Sequence, residues 1–356
     1  MNNDIKQAKE EAVELLKSLI SIPSYSREEK DAADFLQRHI EAAGYIAGRK
    51  GNNVWILSPA FDSFKPTILL NSHIDTVKPA QGWQRNPHIP AEESGRLYGL
   101  GSNDAGASLV SLFYVFTLLT AKEQPYNLIF AASAEEEVSG AEGIESMLQD
   151  MPRIDLAIVG EPTGMQLAVA EKGLMVVDCT AHGVSGHAAR NEGTNAIYKA
   201  TEDIEWIRKT ELPEKSDLLG PVKMSVTMIQ AGTQHNVIPD RCSFTIDIRS
   251  NEYYTNEEIF EILKQNLSSG ELKARSFRLS SSGIDIQHPV VKRAKSMRLN
   301  TFGSPTLSDQ ALMTFPSVKI GPGDSARSHS ADEYIVIQDI KDAIELYYDL
   351  LDDLKI

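Results

Sequence analysis

The sequence predicts an α/β fold in two parts: an open sheet flanked by helices, interrupted by a complete ferredoxin-like βαββαβ insert. Three observations carry this. Short apolar runs that read as buried strands alternate with helical stretches over residues 1–167. From 168 to 280 the order becomes strand, helix, strand, strand, helix, strand, the split motif of a small α/β sandwich. After 281 the first pattern resumes, so residues 1–167 and 281–356 are expected to form one discontinuous domain around the insert. At 356 residues the chain exceeds the usual reach of one hydrophobic core, which fits two domains.

In chain order, Asp4–Ile20 places Ile5, Ala8, Ala12, Leu15, Leu16 and Leu19 at helical spacing. Ser26 followed by Glu29 predicts a capping box for a second helix that runs to Ala43 and stops at Gly44. Val54–Leu57 is a short strand. Thr67–Val77 is an apolar run that delivers His73 and Asp75 at its end. Residues two apart on an extended segment share a face, so Asp75 can reach the His73 ring, and a carboxylate behind a histidine holds a metal ligand in one tautomer. A polar strand end with a helix-capping Asp is the alternative reading of that pair.

Gly99-Leu-Gly-Ser-Asn-Asp104 imitates a dinucleotide-binding loop, but Asp104 stands where the third glycine is needed. Asp104 precedes an apolar helix over Leu109–Leu119, where capping is its plainer role. The strand Tyr126–Ala132 runs directly into Glu135-Glu136-Glu137. Three carboxylates there are expensive unless something positive neutralises them or they form a solvated turn. Asp155–Val159 is a further strand and ends in Gly160-Glu161.

The insert reads as strand Leu174–Ala181, helix Asn195–Lys209, strands Val222–Gln230 and Cys242–Arg249, helix Asn256–Leu267 and strand Leu272–Leu279. The C-terminal segment adds a helix from Pro289, the strand Ser317–Ile320, a Gly321–Gly323 loop leading to His329, and a last helix Ile340–Leu354.

A hydrophobic share of 42% with 24% charged residues belongs to an ordinary globular chain. The net charge of −15 excludes a polyanion such as nucleic acid as partner. Cys179 and Cys242 make no disulfide framework, and no early apolar segment resembles a signal peptide or membrane span. A cytoplasmic protein without a membrane partner is the expectation.

His73, Asp104, Glu137, Glu161 and His329 each lie just beyond a predicted strand or at the start of the next helix. In an open α/β sheet those carboxyl ends share one edge, where ligands bind. Two imidazoles and three carboxylates suit two divalent ions, each taking one His and one carboxylate while a third carboxylate bridges. Glu136, beside Glu137, is the candidate base that is not a ligand. Neighbours on an extended segment diverge, so one can face the ions and the other the substrate. There is no H-E-x-x-H and no G-x-S-x-G elbow.

The segments Ser72–Val77, Gly99–Asp104, Ala134–Val138, Val159–Thr163 and His329–Ile335, in this order, resemble the two-zinc amidohydrolase family. That family contains acetylornithine deacetylase, succinyl-diaminopimelate desuccinylase, acetyl-lysine deacetylase, aminoacylase and glutamate carboxypeptidases. The resemblance implies a zinc-peptidase-like catalytic domain with an open mixed sheet, the insert serving as lid and dimerisation domain. It implies two divalent ions, zinc with cobalt as a substitute. His73 and Glu161 would hold one, Glu137 and His329 the other, with Asp104 bridging, Asp75 orienting His73 and Glu136 as general base.

In the lid, Ala181–His187 resembles the motif whose histidine stabilises the oxyanion, usually across the dimer; His187 takes that role rather than His182. Asn236 and Arg249 match the positions that hold the substrate carboxylate. The sequence departs from the family at Ala105-Gly106-Ala107, where Met-Lys-Gly is common, at Glu135, usually Asp, and at residues 188–191, which lack a frequent Ser and Pro. His39, His88, His182, His235 and His288 read as surface or loop residues.

The function so implied is hydrolysis of an N-acetyl or N-succinyl amino acid, most like acetylornithine deacetylase, in arginine or lysine biosynthesis. The homodimer would form through the lid. A dipeptidase or carboxypeptidase of the same family is the rival. A silent metal or amino-acid binding protein is a third reading, against which Glu136 speaks, since a binding site needs no base.

Overall fold

Apolar runs with few charges form the centre of the main sheet. The computed structural model describes residues 2–190 and 192–356, so Met1 and Asn191, the last of the four residues after His187, lie outside it. Backbone packing divides the chain into two units. The first runs to Val169 and resumes over Gly283–Phe302 and Ser308–Ile356; the second comprises Ala170–Ser282 and Gly303–Leu307.

In the first unit the strands lie in the order Ala47–Lys50, Asn53–Leu57, Asn127–Ser133, Thr67–His73, Leu156–Val159, Ser317–Lys319 and Leu167–Glu171. Thr67–His73 is parallel to both its neighbours, and Ser317–Lys319 is parallel to Leu156–Val159. The outer pairings are antiparallel, which makes the sheet mixed. The register puts Leu70 between Phe130 and Ile158, and His73 opposite Ser133. The ends of the parallel strands are therefore level, and the loops that follow them leave one edge.

Strand alternation sends Ile68 and Leu70 to one face and Leu69 to the other. The first face packs against the helices Asn2–Ile20, Ala107–Thr120 and Ile337–Leu351 through Leu16, Phe113, Phe116 and Tyr347. The other is covered by the short helix Ile144–Leu148 through Ile144 and Met147. The helix Ala107–Thr120 is apolar nearly all round because neighbouring elements enclose it, and it packs a ring edge of Phe113 on Phe130, 5.4 Å between centroids.

The second unit has a four-stranded antiparallel sheet in the order Lys223–Ala231, Arg241–Arg249, Met175–His182, Glu271–Ala274. Second, third, first and fourth strands side by side, with helices Ala196–Lys209 and Asn256–Asn266, make the split βαβ arrangement. Asn195 caps the first helix and Thr255 forms a capping box with Glu258 on the second.

Several local expectations are corrected. The second helix spans Lys30–Ala42 with no side-chain cap. Ser26 instead donates its hydroxyl to Asp75 at 2.7 Å, because a buried carboxylate competes successfully for it. Leu167–Glu171 is a strand of the main sheet that the sequence reading passed over, and the last strand of the insert ends at Ala274 rather than Leu279. Among the described residues no helix is long and apolar enough to cross a membrane.

Phe130 is fully buried between the sheet and Phe113. Phe130→Ala is expected to destabilise the protein by about 3–5 kcal/mol. A urea titration followed by circular dichroism checks this, and an unchanged midpoint would contradict the packing described.

Candidate metal centre

His73 ends its strand, and the chain after the neighbouring strand turns sharply at Glu135, φ +55°, into a single helical turn over Glu136–Val138. Glu136 and Glu137 thus separate by a turn, not by the alternation of an extended segment. Glu161 follows Leu156–Val159, and Asp104 lies in the turn Ser102–Gly106 without capping the helix behind it. His329, φ +58°, arrives on the loop beyond Ser317–Lys319.

These five side chains meet. His73 Nε2 is 3.4 Å from Asp104 Oδ1 and 3.8 Å from Glu161 Oε1. His329 Nε2 is 2.9 Å from Glu137 Oε2 and 3.7 Å from Asp104 Oδ2. Asp104 presents one oxygen to each imidazole, the disposition a bridging carboxylate needs. Donor atoms of His73, Asp104 and Glu137 lie within 4.8 Å of one another, as do those of His73, Glu136 and Glu161.

Asp75 does more than the sequence suggests. The close partner of His73 Nδ1 is the main-chain carbonyl of Asp75, at 2.8 Å, while the carboxylate stands 3.6 Å away. A carbonyl only accepts, so Nδ1 carries a proton and Nε2 is the nitrogen turned toward the carboxylates. The Asp75 carboxylate accepts the amides of Glu136 at 3.0 Å and Glu137 at 3.2 Å, besides the Ser26 hydroxyl. It holds the turn that carries the candidate base and one ligand.

The cluster is strongly negative. Burial pushes Glu136 well above the usual carboxylate range, and Glu161 adds to the effect. Burial raises Glu161 to about 8, with Asp104 and Glu137 contributing. Burial opposes charge on His73, but Asp104, Asp75, Glu161 and Glu136 outweigh it and raise the ring well above its ordinary value. Glu137 raises His329 to about 9. Burial works against the charge on Asp104, yet its contacts with His73 hold its carboxyl below the usual value. A largely enclosed set of carboxylates, with Glu136 and Glu161 of raised proton affinity among them, fits divalent cations, which would neutralise them together.

Sequence reasoning missed three residues here. Asp309, buried in a short helical turn, accepts Ser133 Oγ at 2.5 Å and, with the Asn71 amide nitrogen turned toward it, Asn71 Nδ2 at 3.1 Å. Burial lifts it to about 6, and its charge acts on Glu136. Lys319 is buried at the end of an apolar strand, and its charge acts on Glu161. Glu333 accepts three amides from the Asp104 loop. A charged residue inside an apolar run was a readable signal for Lys319; the other two sit in loops without one.

Lys319 also bears on the lysine missing after Asp104. At Gly106 a Cβ would come within 2.5 Å of the Gly101 carbonyl oxygen, so no side chain fits there. Lys319 is a buried side chain whose positive charge acts on Glu161.

His187, Asn236 and Arg249 belong to the second unit. His187 pairs with Val237, and the Ala188 amide donates to the Asn236 carbonyl at 3.0 Å, which makes His187 and Asn236 neighbours. Arg249 is held by Asp247 in a two-pronged pair of 2.8 and 3.0 Å. Of the other histidines, His39 packs among Phe35, Phe113 and Tyr114, His88 meets Tyr25 Oη at 2.9 Å, His182 pairs with Glu271 and His288 caps a helix; His235 is exposed.

Comparison with known proteins adds four findings. The family model described as peptidase family M20/M25/M40 matches residues 69–353. A succinyl-diaminopimelate desuccinylase of Corynebacterium glutamicum is 27% identical over 372 aligned positions, covering 96% of this chain and 97% of that protein. Among solved structures, a tripeptidase from Staphylococcus aureus superposes with a TM-score of 0.78 at 19% identity, covering 96% of this chain and 97% of that one. A dinuclear metal binding peptidase from Bacillus subtilis gives 0.72 at 16% identity, with 97% and 98% covered.

Because Glu161 titrates at about 8 and His329 at about 9 without ions, metal uptake at neutral pH is expected to release protons. Apparent Zn2+ affinity should rise about tenfold per pH unit for each proton displaced. Calorimetry in buffers of different ionisation heat counts those protons, and a count of zero would exclude this ligand set.

Proposed function

Because this chain belongs to peptidase family M20/M25/M40 and is a metal-dependent amidohydrolase, we propose that it removes a short acyl group, acetyl or succinyl, from the nitrogen of an amino acid. The motif resemblance favours an activity like that of acetylornithine deacetylase. The observation that carries the proposal is Glu136. Its amide is anchored by Asp75, its proton affinity is raised by burial, and it lies beside His73 and Glu161. The ligand set is complete without it, which leaves its carboxylate for proton transfer.

In this reading His73 and Glu161 would hold one ion, Glu137 and His329 the other, and Asp104 would be shared. The ions, zinc by resemblance, would supply Lewis acidity to the amide carbonyl and to the attacking water. Glu136 takes the proton of the attacking water and delivers it to the leaving nitrogen.

His187 supplies the oxyanion contact. The Ala189 amide donates to its Nδ1 at 3.1 Å, so the ring proton resides on Nε2 and the exposed ring is a donor. Asn236 and Arg249 bind the substrate carboxylate; for Arg249 this means exchanging Asp247 for the substrate. The assembly is a homodimer through the insert, and the setting is arginine or lysine biosynthesis in the cytoplasm. The name of the C. glutamicum relative favours succinyl over acetyl and lysine over arginine, and this is the second reading.

Turnover of N-acetylornithine, N-acetylcitrulline, N-succinyl-diaminopimelate and simple dipeptides separates these readings; cleavage of dipeptides alone would overturn the deacylase. Glu136→Gln should keep both ions, measured by metal analysis after dialysis, while lowering kcat by about 10²–10⁴-fold. His187→Ala should lower kcat by about 10²–10³-fold with KM little changed. Steady-state kinetics on the best substrate checks it, and wild-type kcat would remove His187 from the mechanism.

A further inference from the structure

Glu333 lies four residues after His329 and is only 2% exposed. Its carboxylate accepts three main-chain amides of the loop that carries Asp104. Oε2 takes the Gly101 N–H at 3.1 Å, and Oε1 takes those of Asn103 at 2.8 Å and Asp104 at 3.0 Å. The Glu333 carbonyl accepts the Gly99 amide at 3.0 Å, and Tyr334 pairs with Tyr98 in a small antiparallel ladder. Gly101 adopts φ +74°, and a Cβ there would stand 2.6 Å from Thr76 Cγ2, so the turn accommodates only glycine.

A second clamp joins the same two segments. The Asn103 side chain donates to the Asp324 carbonyl at 3.1 Å and accepts the Asp324 amide at 3.0 Å. The loop bearing Asp104 is thus tied on both sides of His329, at Asp324 and at Glu333.

The two oxygens of one carboxylate hold the main chain at Gly101, Asn103 and Asp104 together, which a neutral side chain with a single acceptor oxygen does not do.

We propose that Glu333 is a positioning residue that sets the backbone of Asp104 so that its carboxylate spans both ion positions. By linking that loop to the His329 segment it also makes uptake of the two ions interdependent. This rests on the two-ion reading above.

The test is Zn2+ and Co2+ titration calorimetry on the metal-stripped full chain, with the thermal midpoint of the stripped protein measured separately. Wild type is expected to take up two ions. Glu333→Gln is expected to retain one and to weaken the other, held by Glu137 and His329, by about 10–100-fold. Glu333→Asp, which keeps the charge on a shorter arm, should recover part of the loss. If Glu333→Ala does not fold, the Gln and Asp variants carry the test.

Two wild-type ions with unchanged affinities in Glu333→Gln, whatever its thermal midpoint, overturn this proposal alone. A single ion in wild type overturns the two-ion reading and this proposal with it.

Discussion

The constraint on which the rest of the first unit depends is a concentration of negative charge at one edge of the parallel strands. Asp104 stands between two imidazoles, with Glu137 and Glu161 on either side and Glu136 next to them. Carboxylates withdrawn from water are costly unless donors or cations meet them. The structure meets some with its own donors. Asp75 takes two amides and a hydroxyl, Asp309 takes Ser133 and Asn71, and Glu333 takes three amides. Lys319 gives one cationic side chain whose charge acts on Glu161. Glu136 and Glu161 keep a raised proton affinity even so, and they are the groups left to ions and to proton transfer.

This division gives the site its chemistry. Carboxylates engaged by amides hold loops in place, while others face one another and the imidazoles. Asp75 joins the two classes, because one residue fixes the His73 tautomer through its carbonyl and anchors the Glu136 turn through its carboxylate. His73 and the turn that carries Glu136 are therefore set by the same residue.

Much of the site was legible in the sequence because a parallel sheet brings its strand ends to one edge whatever the loop lengths. His73, Glu137 and Glu161 each follow an apolar run, Asp104 precedes one, and His329 follows a glycine-rich turn. Ser26 was misread for a physical reason: Ser followed three residues later by Glu satisfies the local rule for a helix cap, yet Asp75, distant in sequence, takes the hydroxyl. The strand Leu167–Glu171 was missed because it abuts the next strand, Met175–His182, with only a short break. Asp309 and Glu333 carry no periodic signal, since their partners lie far away along the chain.

What the sequence by itself determined is most of the helices and strands and the order in which chemistry-bearing residues leave them, because helical and strand periodicity are local properties of side-chain placement. Only the tertiary structure decided which carboxylate faces both imidazoles and which atom of Asp75 meets His73. It also decided which buried charges are held by amides and which are left for cations. Those outcomes depend on strand register and loop conformation, which bring together groups hundreds of residues apart to within hydrogen-bond distance; Glu333 and the amide of Asn103, 230 positions away, meet at 2.8 Å. Such distances follow from packing the whole chain, and no local pattern encodes them.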